Sequence, residues 1–292
     1  MTLFKNGNGG RPVTFELLPP RGLELKSIEE IRPLVGRLEA VTVTDNPMAT
    51  LRASSIAYGK VARDALGIEV VPNLSCRDRN LLALQSEVIG AHLLGHRSLF
   101  IITGDAPRER GNFKGVWEVN STELCKIVKG MSNGQAVVRG VSTDLTDSVD
   151  FSVGGAIVFS RPAELATFRR KVEAGFDYFI TQITYDADEV VDFYAAAEQE
   201  GVRVDKHIQI GLCPASSAKK IRTISKMPGV KVPEKLASRL ESSTDFRADM
   251  KAALLELADE VKTQLGGYSI GFHVMPMGVD GTGKELVEEL TR

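Results

Sequence analysis

The chain has 292 residues, is 43% hydrophobic and 25% charged, and carries a formal net charge of -2. That length and apolar content suffice for a large core in a single α/β domain, and a near-neutral chain whose aromatics form no basic-aromatic stripe excludes a nucleic-acid partner. Three widely separated cysteines, Cys76, Cys125 and Cys213, make neither a disulfide framework nor a metal knuckle, and no apolar window serves as a secretory signal or a membrane span, so a reducing cytoplasm is expected.

Residues 1–12 are polar and glycine-rich, and a flexible arm is expected there. Residues 13–18, Val-Thr-Phe-Glu-Leu-Leu, predict a strand, which Pro19 and Pro20 stop because proline fixes φ and lacks a ladder N–H. The run holds one carboxylate, Glu16, which must be paired, protonated or facing a cavity. Two readings are open: an acid with a raised pKa, or a barrel-end glutamate holding a lysine or arginine.

The spacing of Ile28, Ile31, Leu34 and Val35 predicts a helix over 26–37. A second strand, 40–44, is closed by Asp45-Asn46-Pro47 and followed by an alanine-rich helix over 51–65. A third strand, 68–74, is closed by Ser75-Cys76-Arg77-Asp78-Arg79-Asn80 and followed by a helix over 80–94. A fourth, 99–103, ends at Gly104-Asp105-Ala106-Pro107, with a long loop over 106–118 and a helix from about 121 to 131. Four further strands are expected at 151–158, 178–183, 204–210 and 270–275. Helices at 162–174, 187–200, 216–227, most of 233–264 and 283–291 accompany them.

Eight strand-then-helix units, several with continuous apolar strands and no linker between them, predict one closed (β/α)8 TIM barrel over 13–292 with a short C-terminal helix. Such a barrel gathers its strand ends at one mouth. Glu16, Thr44, Asp45, Asn73, Asp105, Gln182 and His273 would form a polar ring there, suited to a polar organic ligand and proton transfer.

Sharper-looking signals fail on their chemistry. Gly278 to Lys284 nearly matches a phosphate-binding loop, but Glu285 stands where a magnesium-binding hydroxyl is needed. His92 and His96 lack a third metal ligand, and Asp144, Asp147 and Asp150 lack the spacing of a calcium loop, so no metal site is expected. No GxGxxG fingerprint occurs.

Taken together, Phe15-Glu16 with Pro19-Pro20, Val43-Thr44, Thr103-Gly104-Asp105, Arg169 to Gly175 and Ile180-Thr181-Gln182 resemble the methylenetetrahydrofolate reductase family from about residue 12 to 275. Thr44-Asp45-Asn46-Pro47 and Cys76 to Asn80 look like the branch also found fused to homocysteine methyltransferase domains. The resemblance implies an oxidoreductase of one-carbon metabolism and methionine biosynthesis. FAD would sit at the barrel mouth, NADH or NADPH would donate hydride, and a methylene-folate or related pterin would be reduced to its 5-methyl form.

The resemblance also assigns roles. Glu16 matches the general acid that protonates folate N10, Asp105 the aspartate near flavin and pterin, and Gln182 a substrate contact. Cofactor-contacting positions fall on Thr44, Asp45, Asn73, Thr103, Gly104, Ala156, Arg170 and Lys171, the last two near the diphosphate. Familiar bacterial members carry tyrosine at Asp45, histidine at Asn73, arginine at Thr103 and Tyr-Pro-Glu at Gly155-Ala156-Ile157. Rival expectations are a flavin-free pterin-binding methyltransferase barrel and a non-catalytic barrel subunit. A homo-oligomer is expected from family habit alone.

Overall fold

A computed structural model describes residues 3–4, 11–105, 114–278 and 280–292. The expected loop at 106–118 and the arm at 1–12 therefore lie partly outside the described residues. Eight parallel strands close into a barrel in the order β1 (Val13–Leu17), β10 (Ile270–Val274), β9 (His207–Leu212), β8 (Tyr178–Ile183), β7 (Ser152–Ile157), β4 (Ser98–Ile102), β3 (Glu69–Ser75) and β2 (Ala40–Val43), which returns to β1. Helices α1 (Lys26–Ile31), α2 (Ser55–Leu66), α3 (Leu81–Leu93), α4 (Ser121–Ser132), α5 (Glu164–Ala174) and α6 (Ala187–Gln199) follow successive barrel strands. After β9 come α7 (Ala218–Ile224), α8 (Glu234–Glu241) and α9 (Phe246–Gln264), and α10 (Thr282–Leu290) ends the chain.

The barrel wall separates two apolar clusters, because successive side chains of a strand point to opposite faces. Val13, Phe15, Leu17, Val41, Val43, Phe179, Ile208, Ile210 and Phe272 join the helix-facing core, while Ala40, Val71, Phe100, Tyr178 and Ile180 form a smaller cluster inside. Other positions of the inner alternation are polar, among them Thr14, Glu16, Thr42, Asn73, Gln209 and His273, while Ile102 and Ala156 extend the apolar cluster. The strands that look like continuous apolar runs thus carry one polar residue in two at several inward positions. Gly154 makes room for the inner cluster, since a Cβ there would lie 2.3 Å from the Tyr178 ring. At the other end of the cluster Phe4 stacks on His207 at 4.2 Å and meets Tyr178 edge-on.

Three expectations are corrected. The helix over 26–37 ends at Ile31 and continues as a 3-10 turn over Arg32–Arg37, where Pro33 removes a helical N–H. The strand expected at 204–210 begins at His207, after the polar Asp205-Lys206. Between α4 and β7 lies an antiparallel hairpin, β5 (Gln135–Val138) and β6 (Val141–Asp144), in the stretch holding Asp144. Its turn residues Arg139 and Gly140 are both left-handed, the pattern a two-residue hairpin turn needs. Gln85 pins it to α3, donating to Val137 O at 2.8 Å and accepting from Val137 N at 2.7 Å.

Candidate active site

The C-terminal strand ends surround a cavity of about 1130 Å³. Its lining includes Glu16, Thr44, Asp45, Asn73, Thr103, Gly104, Asp105, Ala156, Arg170, Lys171, Gln182 and His273, so residues of seven strand units, with Arg170 and Lys171 contributed by α5, reach one space. They differ in what they can still bind.

Glu16 sits on β1 between the outward Phe15 and Leu17, in register with Thr42 of β2. Among the described residues no cation pairs with it, and burial pushes its carboxyl up to about 7. Although part of its surface is open to the cavity, no neighbouring charge opposes that burial. The neighbour that could supply one is His273, next door on β10 in register with Thr14. Its Nδ1 lies 2.8 Å from Thr14 Oγ1 and its Nε2 3.4 Å from Thr42 Oγ1, and burial pushes its pKa down to about 3. A neutral imidazole cannot hold Glu16 ionised, and among the described residues the ion-pair reading of Glu16 finds no partner.

The loops after β2, β3 and β4 are clasped together by two arginines of the Cys76 to Asn80 stretch. Arg79 donates to both oxygens of the buried Asp45, at 2.7 and 3.3 Å, and Asp45 also accepts from Ser75 N at 2.9 Å. Arg77 is almost fully buried. It donates to Asn46 O at 2.8 Å, to Asp105 O at 3.4 Å and to both oxygens of Asp78. Asp45 is therefore committed to protein partners, while the Asp105 side chain stands exposed at the mouth. Gly104 has φ +86°, and a Cβ there would lie 2.4 Å from Ser75 Oγ and 2.7 Å from Arg77 Cβ. Both the left-handed backbone and the crowding against the clasp require glycine. The sequence shows these two arginines inside a recognisable stretch, but their targets lie on other loops and carry no sequence signal.

The remaining positions separate into open and occupied groups. Asn73 Oδ1 is buried at the cavity and among the described residues has no partner, an acceptor left for a ligand. Thr103 Oγ1 is engaged with the start of α4, accepting from Ser121 N at 3.2 Å. Thr44 Oγ1 reaches Leu17 O at 3.5 Å. Gln182 donates to Pro228 O at 3.0 Å and accepts from Ile183 N at 2.9 Å. Lys171 is buried and donates to Ala156 O, and burial brings its pKa down to about 8 despite the nearby Glu164. Glu164 is itself held by Arg161 at 2.9 Å and by Val158 N at 3.0 Å. Arg170 is exposed to the cavity, and among the described residues its side chain bonds to Thr167 at 3.1 Å.

Elsewhere, His96 is buried against Ile56 O (3.0 Å) and Val70 O (3.4 Å), and Asp280 pairs with Lys220. Among the described residues no group of three or more His, Cys, Asp and Glu side chains could hold a metal ion, and no helix is long and apolar enough to cross a membrane.

Comparison with known proteins bears on this site. The 5,10-methylenetetrahydrofolate reductase of Escherichia coli (strain K12) is 25% identical over 238 residues, covering 80% of this chain and 74% of that protein. Methylenetetrahydrofolate reductase 1 of Schizosaccharomyces pombe is 20% identical, covering 95% of this chain but 45% of that protein. Among solved structures, an uncharacterized Clostridium thermocellum protein that binds two copies of 5-methyl-5,6,7,8-tetrahydrofolic acid shares the fold, with a TM-score of 0.69, 17% identity and coverage of 97% of this chain and 94% of that one. A model of the family Methylenetetrahydrofolate reductase matches residues 5–291, and the chain belongs to that family.

Proposed function

We propose that the protein reduces 5,10-methylenetetrahydrofolate, or a closely related methylene-pterin, to the 5-methyl form, with FAD bound in the cavity and NADH or NADPH as the source of hydride. The observation that carries this reading is Glu16: a carboxyl at the cavity, without a cationic partner among the described residues, whose pKa of about 7 keeps a proton available near neutrality. Family membership supports the substrate class.

The residues present fit a flavin dinucleotide. The cavity is at the upper end of small-molecule sites. Asn73 leaves an acceptor open, and Arg170 offers a guanidinium to a diphosphate, while Lys171 and Arg161 supply positive charge behind it. When bound, FAD supplies hydride transfer between the nicotinamide and the substrate.

The chain's own contribution is proton chemistry and placement. Protonated Glu16 gives its proton to folate N10, the C–N bond to the bridging carbon breaks with its electron pair staying on N10, and a 5-iminium cation results. That carbon then accepts hydride and becomes the methyl group. Asp105 supplies negative charge beside the cation, and Gln182 exchanges its backbone bonds for contacts to the substrate. The Asp45 to Pro47 and Cys76 to Asn80 stretches support the branch fused to homocysteine methyltransferases, hence a place in methionine biosynthesis.

Adding FAD to the purified protein, removing free flavin and supplying NADH or NADPH followed by methylenetetrahydrofolate tests this. Retained flavin absorbance, bleaching by the nicotinamide and reoxidation with formation of 5-methyltetrahydrofolate are expected. A protein that binds the folate but retains no flavin and forms no product refutes the reductase reading.

A further inference from the structure

The cavity has a second cationic side that the reduction chemistry does not use. Arg21, four residues past the end of β1, and Arg52, on the loop before α2, both line it. Arg52 donates its backbone N–H to Asn46 Oδ1 at 2.8 Å and Nη1 to Pro19 O at 3.0 Å, which fixes the guanidinium against the β1 loop. Its Nε is buried and has no partner among the described residues. Among the described residues neither arginine forms an ion pair, although Glu24 and Glu30 line the same rim. Both guanidinium groups thus face one cavity from the β1 and β2 loops, and burial, with the like charge of Arg21, lowers the Arg52 pKa. An unrelieved pair of this kind, with a donor left open, is a site for an anion.

Its place in the ring identifies which anion. β1 lies four strands from β7 in either direction around the eight-stranded barrel, so Arg21 stands across the mouth from Arg170, which follows β7. A dinucleotide held at its diphosphate by Arg170 would have that anion at the far side. The ligand end that reaches Arg21 and Arg52 belongs to the molecule reacting at Glu16, on the same strand as the Arg21 loop. Met48 in the cavity wall and the exposed Leu23 and Leu51 lie on the same two loops and offer apolar surface for an aromatic group beside that anion.

We propose that Arg21 and Arg52 form a carboxylate subsite that receives the glutamate end of the folate substrate. The proposal rests on the folate reading of the cavity, and its test separates the two. Calorimetric titration of the FAD-supplemented protein with 5-methyltetrahydrofolate and with 5-methyltetrahydropteroate, which lacks the glutamate, reads the subsite directly. The wild type is expected to bind the glutamate-bearing ligand about tenfold more tightly. Arg21→Gln removes most of that advantage and leaves pteroate binding and the melting temperature unchanged, since Arg21 is exposed. Arg52→Lys keeps the charge and retains a measurable part of it. Equal wild-type affinity for the two ligands, or equal losses for both in Arg21→Gln, overturns the subsite while leaving the folate reading intact. A loss confined to NADH or NADPH binding overturns the carboxylate assignment in favour of a phosphate. Binding of neither pterin overturns the folate reading and the subsite with it.

Discussion

Glu16 shows how a barrel stores reactivity in one side chain. Folding moves its pKa from the ordinary 4.5 to about 7, so the folded chain takes up a proton between those values and loses stability as pH rises through them, by about 3 kcal/mol in all. Glu16→Gln has no charge to desolvate. It is expected to match the wild type near pH 4 and to exceed it at pH 8 by up to about 3 kcal/mol in urea unfolding. The same substitution removes the transferable proton, so the folate half-reaction should slow by roughly 10²–10⁴-fold while flavin reduction by the nicotinamide stays near normal. Stopped-flow measurement of each step decides this, and equal slowing of the two rejects the general-acid role. A glutamate that merely held a cation would give the opposite stability change, because its loss would strand that cation.

At the scale of elements, the mouth is rigid where the β2, β3 and β4 loops meet. The β2 loop needs that support, because Asn46, Met48 and Ala49 are all left-handed without being glycine, a conformation that costs of order 1 kcal/mol or more per residue. Asp45 and Arg79, 1% and 15% exposed in their side chains, anchor it. Arg79→Gln leaves the Asp45 carboxylate buried and, among the described residues, held by the Ser75 N–H, and a loss of about 3–5 kcal/mol is expected. Asp45→Asn combined with Arg79→Gln should recover part of it, since neither charge is then stranded. Denaturant unfolding of the two single variants and the double measures the coupling. If Asp45 served a cofactor instead, Arg79→Gln would change FAD affinity and leave unfolding alone.

This clasp also marks the limit of what the sequence makes legible. The barrel, the order of its eight units and the gathering of Glu16, Asn73, Asp105 and Gln182 at one mouth follow from local patterns, because each strand end carries its own stop signal. The hairpin after α4 is written as Val137-Val138-Arg139-Gly140-Val141, but arginine at a left-handed turn position is a weak signal and the flanking aspartates suggest plain loop. The bonds that join Arg77 and Arg79 to Asn46, Asp45 and Asp105 run between neighbouring loops, across 28 to 34 residues of sequence. No periodicity encodes that distance, and barrel closure creates it.

For the whole molecule, the same polar interior sets the response to acid. His273 and His207 are buried neutral, with pKa values pushed from 6.5 down to about 3 and about 4, and burial moves His96 in the same direction. Their ordinary values apply only after unfolding, so the unfolded chain binds more protons below pH 6.5 and stability falls as pH drops through that window. At pH 5 each of His273 and His207 costs about 2 kcal/mol. Glu16 works against them, because protonation near pH 7 relieves its desolvation as the medium becomes acidic, returning about 2 kcal/mol over the same interval. The wild type should therefore lose about 2 kcal/mol between pH 7 and pH 5, whereas Glu16→Gln, which has nothing to regain, should lose about 4 kcal/mol. His207→Gln, remote from the cavity and bonded at Nδ1 to Ser269 Oγ at 2.9 Å, should flatten the acid limb without altering the folate half-reaction. Urea unfolding of the three proteins at pH 7, 6 and 5 gives the slopes directly. Parallel wild-type and Glu16→Gln curves would mean that Glu16 is ionised in the folded protein, and the acid assigned to folate protonation would have to be sought elsewhere in the cavity.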